Sequence, residues 1–109
     1  MTDETRDPVG DRLRYLARTE EDFARAKATR IFLEETKRTV VATLFAEAPD
    51  GSVASREAYA YSHADYKAHC AKLQEAVYDE ELFKAKRLRY ELTVEVWRTT
   101  EASRRRGNV

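Results

Sequence analysis

The chain has 109 residues, of which 42% are hydrophobic and 37% are charged, and 20 Lys and Arg side chains balance 20 Asp and Glu side chains. This length predicts one domain, and the net charge of zero excludes a general attraction to polyanions. Much of the apolar share is alanine, so a monomer would bury little large side-chain surface. We therefore expect burial against a second copy or another protein.

The sequence also bears on cellular location. The single cysteine, Cys70, excludes an internal disulfide and fits a reducing compartment. No apolar run approaches the roughly 20 residues of a membrane-spanning helix, and the N-terminus has no apolar signal-peptide region. We expect a cytoplasmic protein that makes no membrane contact.

The first half of the chain predicts one long helix over residues 10–47, after a polar, disordered segment at residues 1–8. Apolar side chains recur with heptad-like spacing from Phe23 to Leu44. Thr19 is followed by three acidic residues, a pattern typical of a helix N-terminus. The helix therefore either restarts near Thr19 or runs straight through from about residue 10.

The middle of the chain, residues 48–62, predicts a turn and a short helix. Pro-Asp-Gly at positions 49–51 interrupts the helical pattern, and Ser52 can cap a helix that follows it. This is the strongest turn signal of the sequence, so it predicts that the two halves fold back on each other.

The second half predicts a long helix over residues 63–104 and a tail at residues 105–109. Ser62-His63-Ala64-Asp65 matches a capping box at its start. Apolar residues then alternate in steps of four and three, and Arg89 occupies one of the gaps.

These segments predict an all-α fold, a long antiparallel helical hairpin in a single domain over residues 1–109 that is completed by dimerisation. Antiparallel pairing would bring Arg30 near Glu80 or Glu81, and Lys37 near Glu75. The predicted interface with a second copy or another partner consists of large apolar residues from both halves: Phe23, Leu33, Val40, Leu44, Tyr78, Leu82, Leu92, Val96 and Trp97.

An α+β fold with a central β-hairpin is the alternative. Residues 39–61 combine a β-branched run, a turn and a tyrosine-rich segment, and residues 90–97 alternate apolar and polar side chains. The sequence leaves helix and strand open for both segments, while the capping signals and the Ala-, Glu-, Lys- and Arg-rich flanks favour helix.

The sequence has no pattern of a self-contained active site, and we expect a non-enzymatic protein without cofactor or metal. The three glycines are isolated, so there is no phosphate-binding loop. His63 and His69 do not share a helical face, and Asp65 at the helical spacing from His69 suggests a surface ion pair. A metal-dependent nuclease that uses Glu80 or Glu81 is the least favoured interpretation.

Basic residues crowd the second half and predict contact with single- or double-stranded DNA, with Lys84, Lys86 and Arg87 the most exposed. The competing interpretation is a solvated helix whose cations pair with nearby glutamates. Tyrosines could stack on bases, although helical spacing favours core or interface positions for them. The candidate nucleic-acid-binding residues are Lys84, Lys86, Arg87, Arg89, Arg98, Arg104, Arg105 and Arg106.

Several strings resemble a group of small phage and prophage proteins encoded among recombination and replication genes. The strings are Arg25-Ala26-Lys27-Ala28, residues 48–58, and Glu95-Val96-Trp97-Arg98-Thr99 with the ending at residues 104–109. The resemblance covers roughly residues 13–109 and carries no catalytic residue. It implies an accessory role in phage DNA recombination or replication, in the cytoplasm of a bacterial host. The alternative function is a protein-interaction module, such as an inhibitor of a host nuclease or defence protein.

Overall fold

The computed structural model describes residues 7–107, and these form four α-helices and no strand. The all-α prediction is confirmed, and the β-hairpin alternative is wrong, because residues 39–47, 53–61 and 90–97 are helical. In this part of the chain, none of the helices combines the length and the apolar content that crossing a bilayer requires. In chain order the helices are α1 (Pro8–Arg18), α2 (Glu20–Glu47), α3 (Val53–Ser62) and α4 (Ala64–Gly107).

The first predicted helix is interrupted at Thr19, so two helices occupy most of the range 10–47. Asp7 caps α1 by accepting a hydrogen bond from the Gly10 backbone at 3.0 Å, and Pro8 occupies the first turn. At the break, the Thr19 hydroxyl donates to the Tyr15 carbonyl at 2.7 Å, which satisfies an acceptor at the end of α1. Of the segment 1–8 that was predicted to be disordered, residues 1–6 lie outside the described part, whereas Asp7 and Pro8 are the cap and the first residue of α1.

The cap of α3 is the residue that the sequence predicts, whereas the cap of α4 is a different residue. Ser52 caps α3, since its hydroxyl accepts from the Ser55 backbone at 3.1 Å. At the start of α4, the backbone of Asp65 donates to His63 Nδ1 at 3.0 Å. Ser62, which the capping-box pattern selects, instead donates to the Ala58 carbonyl within α3.

The far end of α4 extends beyond the predicted boundary at residue 104. The helix continues to Gly107, so three of the five residues assigned to a tail are helical, and residues 108–109 lie outside the described part. Arg104, Arg105 and Arg106 occupy the last turn, where cations interact favourably with the negative end of the helix dipole.

Contacts within the described chain group it into two units. Unit 1 contains residues 7–24 and 81–107, and unit 2 contains residues 25–80. In unit 2, α2 runs antiparallel to α4, and Leu44, Ala48, Ala60 and Ala76 are buried. This core is rich in alanine, which lets the helices approach closely.

Unit 2 also contains a buried ion pair that the antiparallel prediction anticipated. Glu80 is 2% exposed, and its carboxylate accepts hydrogen bonds from Arg30 Nε and, at 3.3 Å, Arg30 Nη2. The hydrogen bond with Glu80 is the largest of the effects that raise the pKa of the Arg30 guanidinium above its usual value. Lys37 differs from its predicted pairing, since it lies over the Tyr66 ring, about 13 Å along α4 from Glu75.

In unit 1, aromatic pairs join α1 and the start of α2 to α4. Tyr15 and Tyr90 meet edge to face with ring centroids 4.9 Å apart, and the Phe23 and Phe83 centroids are 6.4 Å apart. Because the later residue of each pair falls in number as the earlier one rises, the packing is antiparallel. Val94 is buried in this unit.

Within unit 1, α4 has two faces of unexpected composition. The inward face consists of Phe83, Arg87, Tyr90 and Val94, which are buried or half-buried. The outward face consists of Leu82, Ala85, Leu88, Leu92 and Val96, with Arg89 among them, and all six are exposed. Leu92 and Phe83 illustrate the opposition, because nine residues of an α-helix correspond to a rotation of about 180°.

Candidate nucleic-acid interface

The predicted basic residues of α4 divide into groups with different surroundings. Three are exposed and pair with glutamates three residues away: Lys84 with Glu81 at 3.3 Å, Arg98 with Glu95 at 3.8 Å, and Arg104 with Glu101 at 2.9 Å. This is the arrangement of a solvated helix face. Arg105 and Arg106 are exposed and form no ion pair with any described residue.

Arg87 is a structural residue, which corrects the prediction that it is among the most exposed. Its Nη1 donates to the Leu16 carbonyl and to the Thr19 hydroxyl, each at 2.8 Å. Its guanidinium also lies 5.3 Å from the centroid of the Phe23 ring. Arg87 therefore fastens the junction of α1 and α2 onto α4, and its Nη1 donates to protein acceptors rather than to solvent.

Lys86 and Arg89 lie beside tyrosines. Lys86 is half-buried, and its Nζ is 4.4 Å from the Tyr15 ring centroid and 5.7 Å from that of Tyr90. Arg89 is exposed, with its guanidinium 5.9 Å from the Tyr90 centroid. The ammonium of Lys86 is thus held over two rings, a geometry that attracts a cation without neutralising its charge.

An open cleft of about 660 Å³ lies between α1 and α4 in unit 1, and we name it the tyrosine–arginine cleft. Four cations and two tyrosines contribute to it, and the one carboxylate among its described lining residues, Asp11, already pairs with Arg14. The described lining residues are Pro8, Asp11, Arg12, Arg14, Tyr15, Arg18, Lys86 and Tyr90.

The arginines of α1 supply most of the positive charge of the cleft. The Arg18 guanidinium lies 5.7 Å from the Tyr15 centroid, and that of Arg12 lies 5.4 Å from the Tyr90 centroid. Arg14 and Arg18 are exposed, so their remaining donors face solvent. The tyrosines therefore orient cations around one opening.

Arg12 is the most constrained cation of the cleft. Its Nη1 donates to the Pro8 carbonyl at 3.0 Å. Its Nε is buried and, among the side chains of residues 7–107, is the one buried nitrogen or oxygen without a hydrogen-bond partner. A buried donor without an acceptor is uncommon in native proteins.

Sequence reasoning missed Arg12, Arg14 and Arg18 because it searched for cations along the second half alone. A signal was available, since Arg12, Arg14, Tyr15 and Arg18 fall within two helical turns. The sequence alone does not show which distant residues face this segment. Lys86 and Tyr90 complete the cleft only once α1 packs against α4.

The residues predicted to form an interface separate by helix. Those from α2 take part in intramolecular packing: Phe23, Leu33 and Val40 are half-buried, and Leu44 is 3% exposed. Those from α4 are exposed: Tyr78, Leu82, Leu92, Val96 and Trp97. Leu44 is thus unavailable to a partner, because it fills the core of unit 2.

His69 and Asp65, which were predicted to pair with each other, contact other groups. His69 Nε2 lies 2.7 Å from the Leu33 carbonyl, to which it donates, so the predicted Asp65–His69 ion pair is wrong. Asp65 lies instead 3.8 Å from His63. Residues 7–107 contain no group of three or more side chains arranged to hold a metal ion.

Comparison of this chain with protein-family models, with curated proteins and with solved structures finds no match. The resemblance to phage and prophage proteins therefore stays a prediction.

Proposed function

We propose that the protein is a non-enzymatic nucleic-acid-binding factor and that the tyrosine–arginine cleft holds the phosphate backbone. The observation that carries this proposal is the convergence of four cations on one opening, at which Asp11, the one carboxylate among the described lining residues, already has a partner. The cations of the C-terminal half that pair with neighbouring glutamates contribute less, because their charge is locally compensated.

Phosphate binding follows from the donors around the cleft. Arginine presents several N–H groups in a planar fork that matches two phosphate oxygens, and lysine adds a point charge. Arg14 and Arg18 are exposed enough to meet an incoming strand, while Lys86 and Arg12 are already fixed over tyrosine rings. This preorganisation lowers the side-chain entropy lost on binding.

The dimensions and the aromatic lining favour a single strand. A volume of about 660 Å³ is that of a small-ligand pocket, so a flexible strand can enter it and a rigid duplex can only touch its rim. Tyr15 and Tyr90 line the same opening, and aromatic rings beside a basic groove are typical of sequence-tolerant binding to single strands.

The cellular setting of the proposal comes from the sequence resemblance alone. It suggests an accessory factor of phage DNA recombination or replication in the bacterial cytoplasm. Single strands are exposed during both processes, so a single-strand-binding role is compatible with that setting.

The test is fluorescence anisotropy with labelled single-stranded DNA between about 50 and 300 mM salt. The double variant Arg14→Glu/Arg18→Glu should weaken binding at least about tenfold at low salt. If each arginine contacts one phosphate, the slope of log K against log salt should fall by about 1.4. Both side chains are exposed, so the change removes no buried side chain, and circular dichroism verifies that the variant keeps its helical content.

The matched control is Lys27→Glu/Lys67→Glu, the same change of charge at exposed positions of unit 2. If that control weakens binding as much as the cleft variant does, the cleft is not the binding site. A triple Arg104→Glu/Arg105→Glu/Arg106→Glu variant should have the smaller effect if the cleft dominates. Absence of measurable binding at about 50 mM salt would contradict the proposal and favour the protein-interaction alternative.

A further inference from the structure

The outward face of α4 is an apolar stripe that the described chain leaves uncovered. Leu82, Leu88 and Leu92 are 55%, 54% and 56% exposed, and Val96 is 65% exposed. A shallow groove of about 520 Å³ runs along the stripe between Ala85 and Val96. Contiguous exposed apolar residues of this kind mark a contact surface rather than ordinary solvent-facing helix.

The spacing of the stripe identifies the shape of its occupant. Positions 82, 85, 89, 92 and 96 follow each other in steps of three and four, which is the a/d pattern of a coiled coil. Such a stripe accepts the side chains of a facing helix as knobs into holes. The occupant is therefore an α-helix with a complementary stripe.

We propose that the occupant is the outward face of a second copy of this chain, packed antiparallel. A stripe on a helix face can pair with the same stripe of a second copy about a two-fold axis, which is the commonest symmetry of homo-oligomers. This inference concerns a surface separate from the tyrosine–arginine cleft and does not depend on nucleic-acid binding.

Arg89 decides the direction of the pairing. It occupies a core position of the stripe and forms no ion pair with any described residue. A parallel, in-register copy would set Arg89 against its own counterpart, and like charges in a desolvated seam are destabilising.

An antiparallel copy supplies a counter-charge instead. When Val96 of the partner lies on Ala85, the small alanine leaves room for the valine. In that register Glu95 of the partner comes within one helical turn of Arg89, and Leu92 of the partner lies along the Arg89 aliphatic stem. Glu95 can make this contact, because its side chain is 68% exposed and Arg98 lies 3.8 Å away at the surface. The two-fold axis repeats the Arg89–Glu95 pair on both sides.

The first experiment is sedimentation equilibrium of the full chain from about 1 to 200 μM. We expect the mass of two chains at the upper concentrations and a return to one chain in the Leu92→Asp variant. Phe32→Asp is the matched control, because Phe32 is 62% exposed on α2 and lies outside the face; it should leave the dimer unchanged. Far-ultraviolet circular dichroism verifies that each variant keeps its helical content.

The second experiment tests the direction with a charge exchange. Arg89→Glu and Glu95→Arg should each weaken the dimer at least about tenfold, and the double variant should recover most of the lost affinity. A wild-type chain that stays monomeric at 200 μM overturns the proposal. A dimer that persists in Leu92→Asp overturns the assignment of the face, and failure of the charge exchange to restore the dimer overturns the antiparallel pairing.

Discussion

The inward and outward faces of α4 in unit 1 differ in an unusual way, because a charged side chain lies on the inward face and large aliphatic side chains lie on the outward one. The inward face includes Arg87, which fastens the α1–α2 junction, whereas the outward face is almost entirely aliphatic. In unit 2 the same helix turns a carboxylate, Glu80, into the interior. The polar interior residues fix which segments pair, because each must find its own partner. The aliphatic face does not select a partner inside the monomer in this way, and its exposed side chains can contact another molecule.

The largest expected effect on stability comes from removing the buried carboxylate. Glu80→Ala leaves Arg30 without its buried partner, and we expect a loss of about 3 kcal/mol in the free energy of unfolding. Urea denaturation followed by circular dichroism measures it. The neighbouring Glu81→Ala is the control, since Glu81 is exposed and pairs with Lys84 at the surface; its effect should stay within about 0.5 kcal/mol. Equal effects would show that the buried pair does not stabilise the fold.

Arg87 gives the next largest expected effect. Arg87→Ala removes two hydrogen bonds of 2.8 Å and a contact with the Phe23 ring, so we expect a loss of about 2 kcal/mol. Lys84→Ala, three residues earlier and exposed, should change the unfolding free energy by less than about 0.5 kcal/mol. Thermal unfolding of the two variants under one set of conditions checks the difference. If Lys84→Ala is the more destabilising, the structural role of Arg87 is wrong.

The smallest expected effect concerns the outward face. At a concentration where the chain is monomeric, Leu92→Gln should change the unfolding free energy by at most about 0.5 kcal/mol, because Leu92 is 56% exposed. Val94→Ala, two residues further along, truncates a side chain that is 6% exposed and should cost about 1–2 kcal/mol. Chemical denaturation of both variants makes the comparison. A larger loss from Leu92→Gln would mean that the outward face packs within the monomer.

Local signals in the sequence were sufficient for much of the fold. The helical class, the cap at Ser52 and the Arg30–Glu80 pair follow from capping chemistry, from helical periodicity and from antiparallel alignment. The break at Thr19 was one of two options that the sequence left open. The cap at His63 was not predicted, because a histidine ring nitrogen can replace the serine hydroxyl that the motif selects.

The interior face of α4 and the tyrosine–arginine cleft could not be obtained in this way. Periodicity ranks faces by apolar content, and it selected Leu82, Leu92 and Val96, which are exposed. The inward face instead buries a phenol ring and the stem of an arginine, side chains with a polar end and an apolar body. The cleft depends on α1 meeting α4, a contact between residues far apart in the sequence, and no local pattern encodes that distance.

Because α1 is short, its folding is sensitive to whether the cleft is occupied. The helix has 11 residues, none of them fully buried, and a helix of that length is marginal in water without tertiary contacts. It nevertheless carries Arg12, Arg14, Tyr15 and Arg18, while Lys86 and Tyr90 belong to α4. A ligand that contacts both helices binds the docked form alone and so shifts the local folding equilibrium of α1 towards that form. If the cleft binds a nucleic-acid strand, as we propose, the same strand would also stabilise the N-terminal helix.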